Sequence, residues 1–373
     1  MIPYGKQTID EEDVRAVIEV LKSDYLTTGP KVAEFEAALS RYVGSSYSVA
    51  VNSGTSALDI AVSALELPKG SEIITSPFTF AASSNCILYN GCNPVFADID
   101  KKTFNIDPAE IRKKITKKTK AIIYVDYAGQ PCHIQEIKEI AEKHDLYLIE
   151  DACHALGAEY KGKKVGTFAD MTAFSFHPVK HITTGEGGAI TTEDEDLAQK
   201  LKLLRNHGID KTPSERKGYA YDMKMLGRNY RIPDILCALG ISQLNKLDKF
   251  IGLRTKIAMN YNKHFMGIAG LETQYVESYV KHAWHLYPII LDRKLNRDAF
   301  FLKLREKGIW VNVHYIPVYK FSYYQKNGFS AVKCPNTEDI SSRAISLPMY
   351  SSLSEEEQNQ VVQAVKKSLS EVC

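Results

Sequence analysis

Three short segments carry residues whose types and spacing could do chemistry together. The first is Val51-Asn-Ser-Gly-Thr-Ser-Ala-Leu58, a small-residue turn between an apolar run and a helical pattern. Glycine at 54 lets the backbone approach a ligand closely, and the N–H groups of Gly54, Thr55 and Ser56 face any anion placed at the helix start. Taken alone, it reads equally as a plain strand-to-helix turn with a hydroxyl cap. No Gly-Lys-Ser/Thr follows, so it is not a P-loop. The second segment is Leu148-Ile-Glu-Asp-Ala-Cys-His-Ala-Leu-Gly157. Two acids end an apolar strand there, so Asp151 emerges at the carboxyl end of a sheet, where open α/β folds bind ligands. A carboxylate at that place can keep a pyridinium nitrogen protonated; it can also simply cap a helix. His154 sits on the same turn, and a single histidine there has an ordinary structural reading too. The third is Phe174-Ser-Phe-His-Pro-Val-Lys-His-Ile-Thr-Thr-Gly-Glu-Gly-Gly188. An apolar strand delivers Lys180 into a loop rich in Thr and Gly, an unusual place for a solvated lysine. Desolvation there lowers the amine's pKa and frees it for Schiff-base chemistry.

The elements that must hold these segments alternate along the chain. A capping box at Thr8-Ile-Asp-Glu11 opens a first helix, and a second starts at Pro30 and stops at Gly44. Apolar runs at 48–51, 72–75, 94–98, 121–126 and 146–151 alternate with helical patterns at 55–65, 81–89, 108–115 and 134–144. Strands apolar throughout and separated by helices predict a mostly parallel sheet covered on both faces. Further strands are expected at 173–176 and 189–192, and one long helical stretch at 233–264. The remainder reads as α+β, with strands at 285–291 and 310–315, a helix at 297–307 and a last helix after Ser354. The expected division is a large domain with an N-terminal arm, 1–240, and a small C-terminal α+β domain, 241–373.

Composition excludes several classes. A net charge of +2 makes no electrostatic case for nucleic acid or an anionic membrane. The basic run at 113–120 reads as a solvated helix end. The start MIPYGKQTID lacks the regions of a signal peptide, and no stretch is apolar enough for a span, so a cytoplasmic protein is expected. Seven scattered cysteines form no CxxC pair, which argues against disulfides and a metal site. Cys153 reads as a small packing residue.

In combination, Gly54-Thr-Ser-Ala-Leu58, Glu150-Asp-Ala152, and Lys180 with Thr-Gly-Glu-Gly-Gly188 resemble the DegT/DnrJ/StrS family of nucleotide-sugar aminotransferases. Leu26-Thr-Thr-Gly-Pro30 and Gly227-Arg-Asn-Tyr-Arg231 look like family motifs as well, so the resemblance covers nearly the whole chain. It implies the PLP-dependent transferase fold (aspartate aminotransferase type I), with pyridoxal 5′-phosphate as cofactor and pyridoxamine 5′-phosphate as its intermediate form. Lys180 would carry the cofactor and move protons, Asp151 would face its ring nitrogen, and Phe80 would stack on the ring, unless Phe80 is core. Gly54, Thr55, Ser56 and Ser175 would hold its phosphate, and Asn229 would reach the phosphate in a neighbouring subunit, implying a homodimer with shared sites. His154 stands where many relatives have Gln, beside the cofactor's ring oxygen.

Val125-Asp-Tyr-Ala-Gly129, Cys153-His-Ala-Leu-Gly157, His285-Leu-Tyr-Pro288 and His314-Tyr-Ile-Pro-Val-Tyr319 resemble a narrower branch of that family, which serves the pseudaminic-acid pathway. That branch implies L-glutamate as donor and C4 of a UDP-linked 2-acetamido-2,6-dideoxy-4-keto-hexose as acceptor. Lys6, Leu26, Thr27 and Arg228 become candidates for the nucleotide diphosphate, with His314 or Tyr319 lining the sugar. Amination at C3, a dTDP or GDP sugar, sugar dehydration, and a non-catalytic PLP-binding regulator stay open as alternatives. Intact Lys180 weighs against dehydration, and the lack of a basic face or helix-turn-helix extension weighs against the regulator.

Overall fold

Apolar runs that alternate with amphipathic stretches must pair as strands while the stretches cover both faces. A computed structural model of the chain describes residues 1–211, 216 and 218–372. Its strands begin with β1 (Tyr47–Val51), β2 (Glu72–Thr75), β3 (Asn93–Phe96), β4 (Thr119–Val125) and β5 (Tyr147–Asp151). The short β6 (Glu159–Tyr160) and β7 (Lys163–Lys164) precede β8 (Met171–Ser175) and β9 (Gly188–Thr192). Seven of these form one sheet in the order β1-β9-β8-β5-β4-β2-β3. All its neighbouring pairs are parallel except those of β9, which runs against both β1 and β8.

Helices α1 (Glu11–Leu21) and α2 (Pro30–Val43) precede β1. Then α3 (Gly54–Ala64), α4 (Ala82–Tyr89), α5 (Pro108–Lys114) and α6 (Ile134–His144) follow β1 to β4 in turn, and α7 (Glu195–Arg205) follows β9. Successive strand residues point to opposite faces. Val49, Ile73, Ile123 and Ile149 accordingly pack under α3 and α4, while Ile74, Ile122, Tyr124 and Leu148 pack on α5 and α6.

Two helices, α8 (Asp234–Leu244) and α9 (Leu247–Phe265), lead to a second core. There β10 (Leu271–Thr273), β12 (Tyr287–Leu291) and β13 (Ala344–Leu347) form an antiparallel sheet, while β11 (Val280–Lys281) joins β6 and β7. Around it lie α10 (Arg297–Glu306), the single turn α11 (Ser322–Tyr324), α12 (Pro335–Arg343) and α13 (Glu355–Val372). The chain changes cores within α9: Leu247, Phe250 and Ile251 pack with the main sheet, and Ile257, Tyr261 and Phe265 with the second. Ile2 also belongs to that second core, its backbone pairing with Gly308 and Trp310. No helix among the described residues is long and apolar enough to cross a membrane.

Three expectations need correction. The first helix is capped by Asp10, whose carboxylate takes the N–H groups of Glu12 and Asp13, and not by Thr8, whose hydroxyl is engaged by Ser351 at 3.0 Å. The stretch 233–264 breaks at Asn245 and Lys246, where Lys246 turns to the carboxylates of Asp10 and Asp13 at 2.7 and 2.8 Å. Residues 310–315 form no strand and touch Ser346 by one bridge at Asn312. Beyond it, His314 and Tyr315 leave the sheet to line a cavity.

Glu150 and Asp151 are successive on β5 and so leave opposite faces. Glu150 is fully buried beside Asp126 and Tyr124, taking a hydrogen bond from Thr172 at 2.9 Å. Burial lifts its carboxyl to about 7; burial, then the Glu150 charge, lifts Asp126 well above the usual carboxylate range. Asp126 Oδ2 and Glu150 Oε1 are buried without a hydrogen-bond partner, so a proton on the pair is favoured over two charges. With folded-state values raised, the pair's stabilisation is complete below the ordinary value of 4.5 and is lost as pH climbs through about 7. The difference is on the order of a few kcal/mol. The advantage in melting temperature of Glu150→Gln over the native chain should therefore grow by roughly 2–5 °C between about pH 5 and pH 8. Equal melting differences at both pH values would refute the proton on the pair.

Candidate active site

Parallel strands put their carboxyl ends on one edge of a sheet. At that edge lies a cavity of about 590 Å³, lined by Gly54, Thr55, Phe80, Asp151, His154, Ser175, Lys180 and His314 among the residues singled out above. The N-terminus of α3 forms one wall. A Cβ on Gly54 would stand 2.8 Å from Ser175 Cβ, and one on Gly188 would stand 2.4 Å from the Ser53 carbonyl oxygen. Only glycines let β9 and the end of β8 lie so close to the helix start. The first N–H groups of a helix have no partner within it, and the helix dipole favours an anion there. Ser56 is not one of those donors: its N–H is capped by Ser53 Oγ at 3.1 Å, and its buried hydroxyl donates to Asn52 at 2.6 Å. Gly54 and Thr55 remain as main-chain donors, with the Ser175 side chain beside them.

Asp151 ends β5 only 4% exposed, and no Lys, Arg or His forms an ion pair with it among the described residues. Its Oδ2 accepts from Ser83 Oγ at 2.6 Å, and its Oδ1 accepts from the Cys153 N–H at 3.2 Å. Ser83 has one proton to give, so the hydroxyl of Thr79, 2.8 Å away, donates to Ser83 in turn. A hydroxyl chain thus orients a buried carboxylate toward the cavity. Burial keeps the adjacent Cys153 thiol protonated, as packing demands.

Across the cavity, Lys180 Nζ lies 3.3 Å from His285 Nε2. Burial lowers the Lys180 amine, with the nearby Asp151 opposing and Arg254 assisting. Burial, then the Lys180 charge, holds His154 and His285 well below the ordinary histidine value, and His314 falls to about 3 for the same reasons. The rings of His154 and His285 lie 4.3 Å apart, which neutral imidazoles tolerate and imidazolium ions would not. Burial raises the Tyr315 hydroxyl, so it stays protonated, and it hydrogen-bonds His154 Nε2 at 3.0 Å. The Nδ1 atoms of His154 and His285 are buried without a partner in the chain.

Other expected site residues lie elsewhere. Tyr319 is fully buried with its hydroxyl on Glu338 at 2.8 Å and its ring against Phe96, so it does not line the cavity. Lys6 is exposed and borders a separate narrow crevice behind Lys180. Leu26, Thr27 and Asn229 are exposed outside the cavity, and Arg228 reaches Asp59 of α3 at 3.4 Å. Phe80 stands at the cavity mouth, 62% exposed, with its ring 6.4 Å from that of Tyr315. Sequence reasoning did not single out Tyr4, whose ring is 5.5 Å from that of His314, nor Ser83, Tyr315 and His285. His285 and Tyr315 stood inside quoted motifs, whereas Ser83 is one serine among several with no signal of its own. No group of three or more His, Cys, Asp or Glu among the described residues could hold a metal ion.

Residues 7–366 match the DegT/DnrJ/EryC1/StrS aminotransferase family. A Campylobacter jejuni protein, UDP-4-amino-4,6-dideoxy-N-acetyl-beta-L-altrosamine transaminase, is 42% identical over 94% of this chain and 93% of its own length. Among solved structures, Helicobacter pylori PseC, an aminotransferase involved in the biosynthesis of pseudoaminic acid, superposes with a TM-score of 0.95 at 36% identity, covering 99% of both chains. The Streptococcus pneumoniae protein Spr1654, assigned as a sugar aminotransferase, gives 0.96 in its PMP form at 31% identity over 100% of both chains. It has also been solved in a PLP form.

The α3 terminus is testable without reference to any reaction. Inorganic phosphate at about ten times its dissociation constant should add about 1.4 kcal/mol to the ligand-free protein, or about 2 °C in melting temperature. Gly54→Ala, whose new methyl group meets Ser175, should abolish that shift. A full shift in the variant would move the anion site away from α3.

Proposed function

Because the chain belongs to the DegT/DnrJ/EryC1/StrS aminotransferase family, we propose that it moves the amino group of L-glutamate to C4 of a UDP-linked 2-acetamido-2,6-dideoxy-4-keto-hexose, using pyridoxal 5′-phosphate. The observation that carries this reading is a buried carboxylate without a cation, Asp151, sharing one cavity with a buried primary amine, Lys180. The acceptor sugar is supported by the name of the Campylobacter relative and by the superposition on Helicobacter PseC.

The residues present fit the cofactor. A phosphate needs the close approach that Gly54 and Gly188 permit, and Asp151 needs a cation, which a protonated ring nitrogen supplies. The unpartnered Nδ1 atoms of His154 and His285 leave two polar positions for groups from outside the chain. Gly54, Thr55 and Ser175 would hold the phosphate, Phe80 would cover a ring face, and His154 would face the ring's oxygen. When bound, the cofactor supplies reversible condensation with amines and an electron sink for the carbon that loses its proton.

The chain's residues do the rest. Burial keeps the Lys180 amine available as a base, and His285 orients it. In the first half-reaction Lys180 Nζ takes the α-proton of glutamate; in the second it delivers a proton to C4 of the sugar. Positioned proton transfer of this kind contributes roughly a hundred- to ten-thousand-fold. Ser83 and Thr79 fix Asp151 without neutralising it. In a homodimer, Asn229, Arg228, Leu26 and Thr27 would serve the second copy's cavity. Exposed apolar side chains on α1 (Val14, Ile18, Leu21) and at Met223 and Leu226 support that association.

Purified protein should show a visible cofactor band that glutamate bleaches, and Lys180→Ala should lose all turnover. A colourless protein that cannot be reconstituted with pyridoxal phosphate would sink the reading. Ser83→Ala removes a hydrogen bond to a charged group, worth about 1.5–3 kcal/mol, so turnover should fall by roughly tenfold or more and the melting temperature by about 2–5 °C. Nucleotide 4-ketosugars offered with glutamate, and products read by NMR, test the acceptor. Strong preference for a dTDP or GDP sugar would displace the UDP assignment.

A further inference from the structure

Arg254, on α9, is 1% exposed, and no Asp or Glu pairs with it among the described residues. Stripping water from a guanidinium costs several kcal/mol, which a carboxylate usually offsets. Here main-chain oxygens do so. Arg254 Nη1 donates to the carbonyls of Met349 at 2.9 Å, Trp284 at 3.1 Å and His285 at 3.4 Å, while Nη2 donates to that of Lys180 at 3.4 Å. Those carbonyls sit on the lysine loop, on the segment entering β12 and on the turn after β13. Two belong to Lys180 and His285 themselves, whose side chains meet at 3.3 Å. A planar fork can bridge three segments at fixed angles, which a flexible ammonium cannot.

We propose that Arg254 is a positioning residue, a buried guanidinium that clamps the Lys180 loop to the His285 segment so that amine and imidazole face each other. The inference rests on the reading of Lys180 as the proton carrier. Its electrostatic consequence depends on every group around the amine. Asp151 at the end of β5 favours the charged form, while the Cys153 thiol beyond it is protonated and carries no charge. His154 on the next turn, His181 beside the lysine, His285 ahead of β12 and His314 are buried and uncharged. Arg254 is the cation that opposes a second positive charge there.

The test uses the full chain with R254K and R254Q. The holoenzyme is assayed for kcat and KM with glutamate; the cofactor-free chain is acylated across pH, and the Lys180 peptide is read by mass spectrometry. R254K keeps the charge and loses the fork, so kcat should fall about tenfold or more with KM within about twofold, while the Lys180 labelling midpoint stays put. R254Q loses the charge, and its midpoint should rise by about half a pH unit or more. Native kcat in R254K overturns the clamp, and a native midpoint in folded R254Q overturns the electrostatic role. Should R254Q melt below assay temperature, its labelling is run below its melting point against the native chain, and R254K kcat still decides the clamp. If the native enzyme transfers no amine, the proposed function fails, while the labelling midpoints still report on Arg254.

Discussion

β9 runs against every neighbour it has in the main sheet, and the place of Lys180 follows from that reversal. Parallel neighbours need a long crossover, usually a helix, whereas antiparallel neighbours can be joined directly. β8 therefore passes into β9 through the loop holding Lys180, and the loop stays on the carboxyl edge instead of crossing a face. The constraint is tight because β9 starts where α3 starts. Gly188 abuts the Ser53 carbonyl, and Gly54 abuts Ser175. A side chain at either glycine would push the lysine loop away from the helix terminus, so anion site and amine share one geometric condition.

β5 shows how one strand handles two buried acids in opposite ways. Glu150 leaves toward a closed face, where the lowest-energy arrangement is one proton on its pair with Asp126. Asp151 leaves toward the cavity and is given hydroxyl and amide donors but no cation. The first solution neutralises charge for stability's sake. The second keeps charge available to something that enters. Only alternation along the strand separates them, so slipping β5 by one residue would send Glu150 to the cavity and Asp151 to the closed face.

The elements around the cavity were legible because strand periodicity marks them. Gly54, Asp151 and Lys180 each follow an apolar run that could only be a buried strand, and strand ends in such sheets gather on one edge. Errors came where tertiary partners override local pattern. Thr8 looks like a cap until Ser351 takes its hydroxyl, and 233–264 looks continuous until Lys246 turns to Asp10 and Asp13. The stretch 310–315 has strand residues but is drawn from the sheet to the cavity. Tyr319 reads as a sugar-lining residue, yet Glu338 takes its hydroxyl and Phe96 its ring, away from the cavity. Ser56 reads as an anion donor, yet its N–H is taken by the hydroxyl of the neighbouring Ser53. Ser83 and Arg254 carry no local signature; their roles exist only through groups brought from other segments.

That last pair points to how such a cavity balances charge. Lys180 and Asp151 are buried in one cavity, yet they form no ion pair among the described residues. A direct ion pair would be the easiest arrangement for the fold and would silence both groups. Separation requires alternative partners for each: hydroxyl and amide donors for the acid, a neutral imidazole for the amine. It also requires that the nearest permanent cation be engaged elsewhere. Arg254, spent on backbone carbonyls, meets that need: it contributes positive potential and structure without offering Asp151 a partner. The fold thus holds an acid and a base in one cavity by denying each the other.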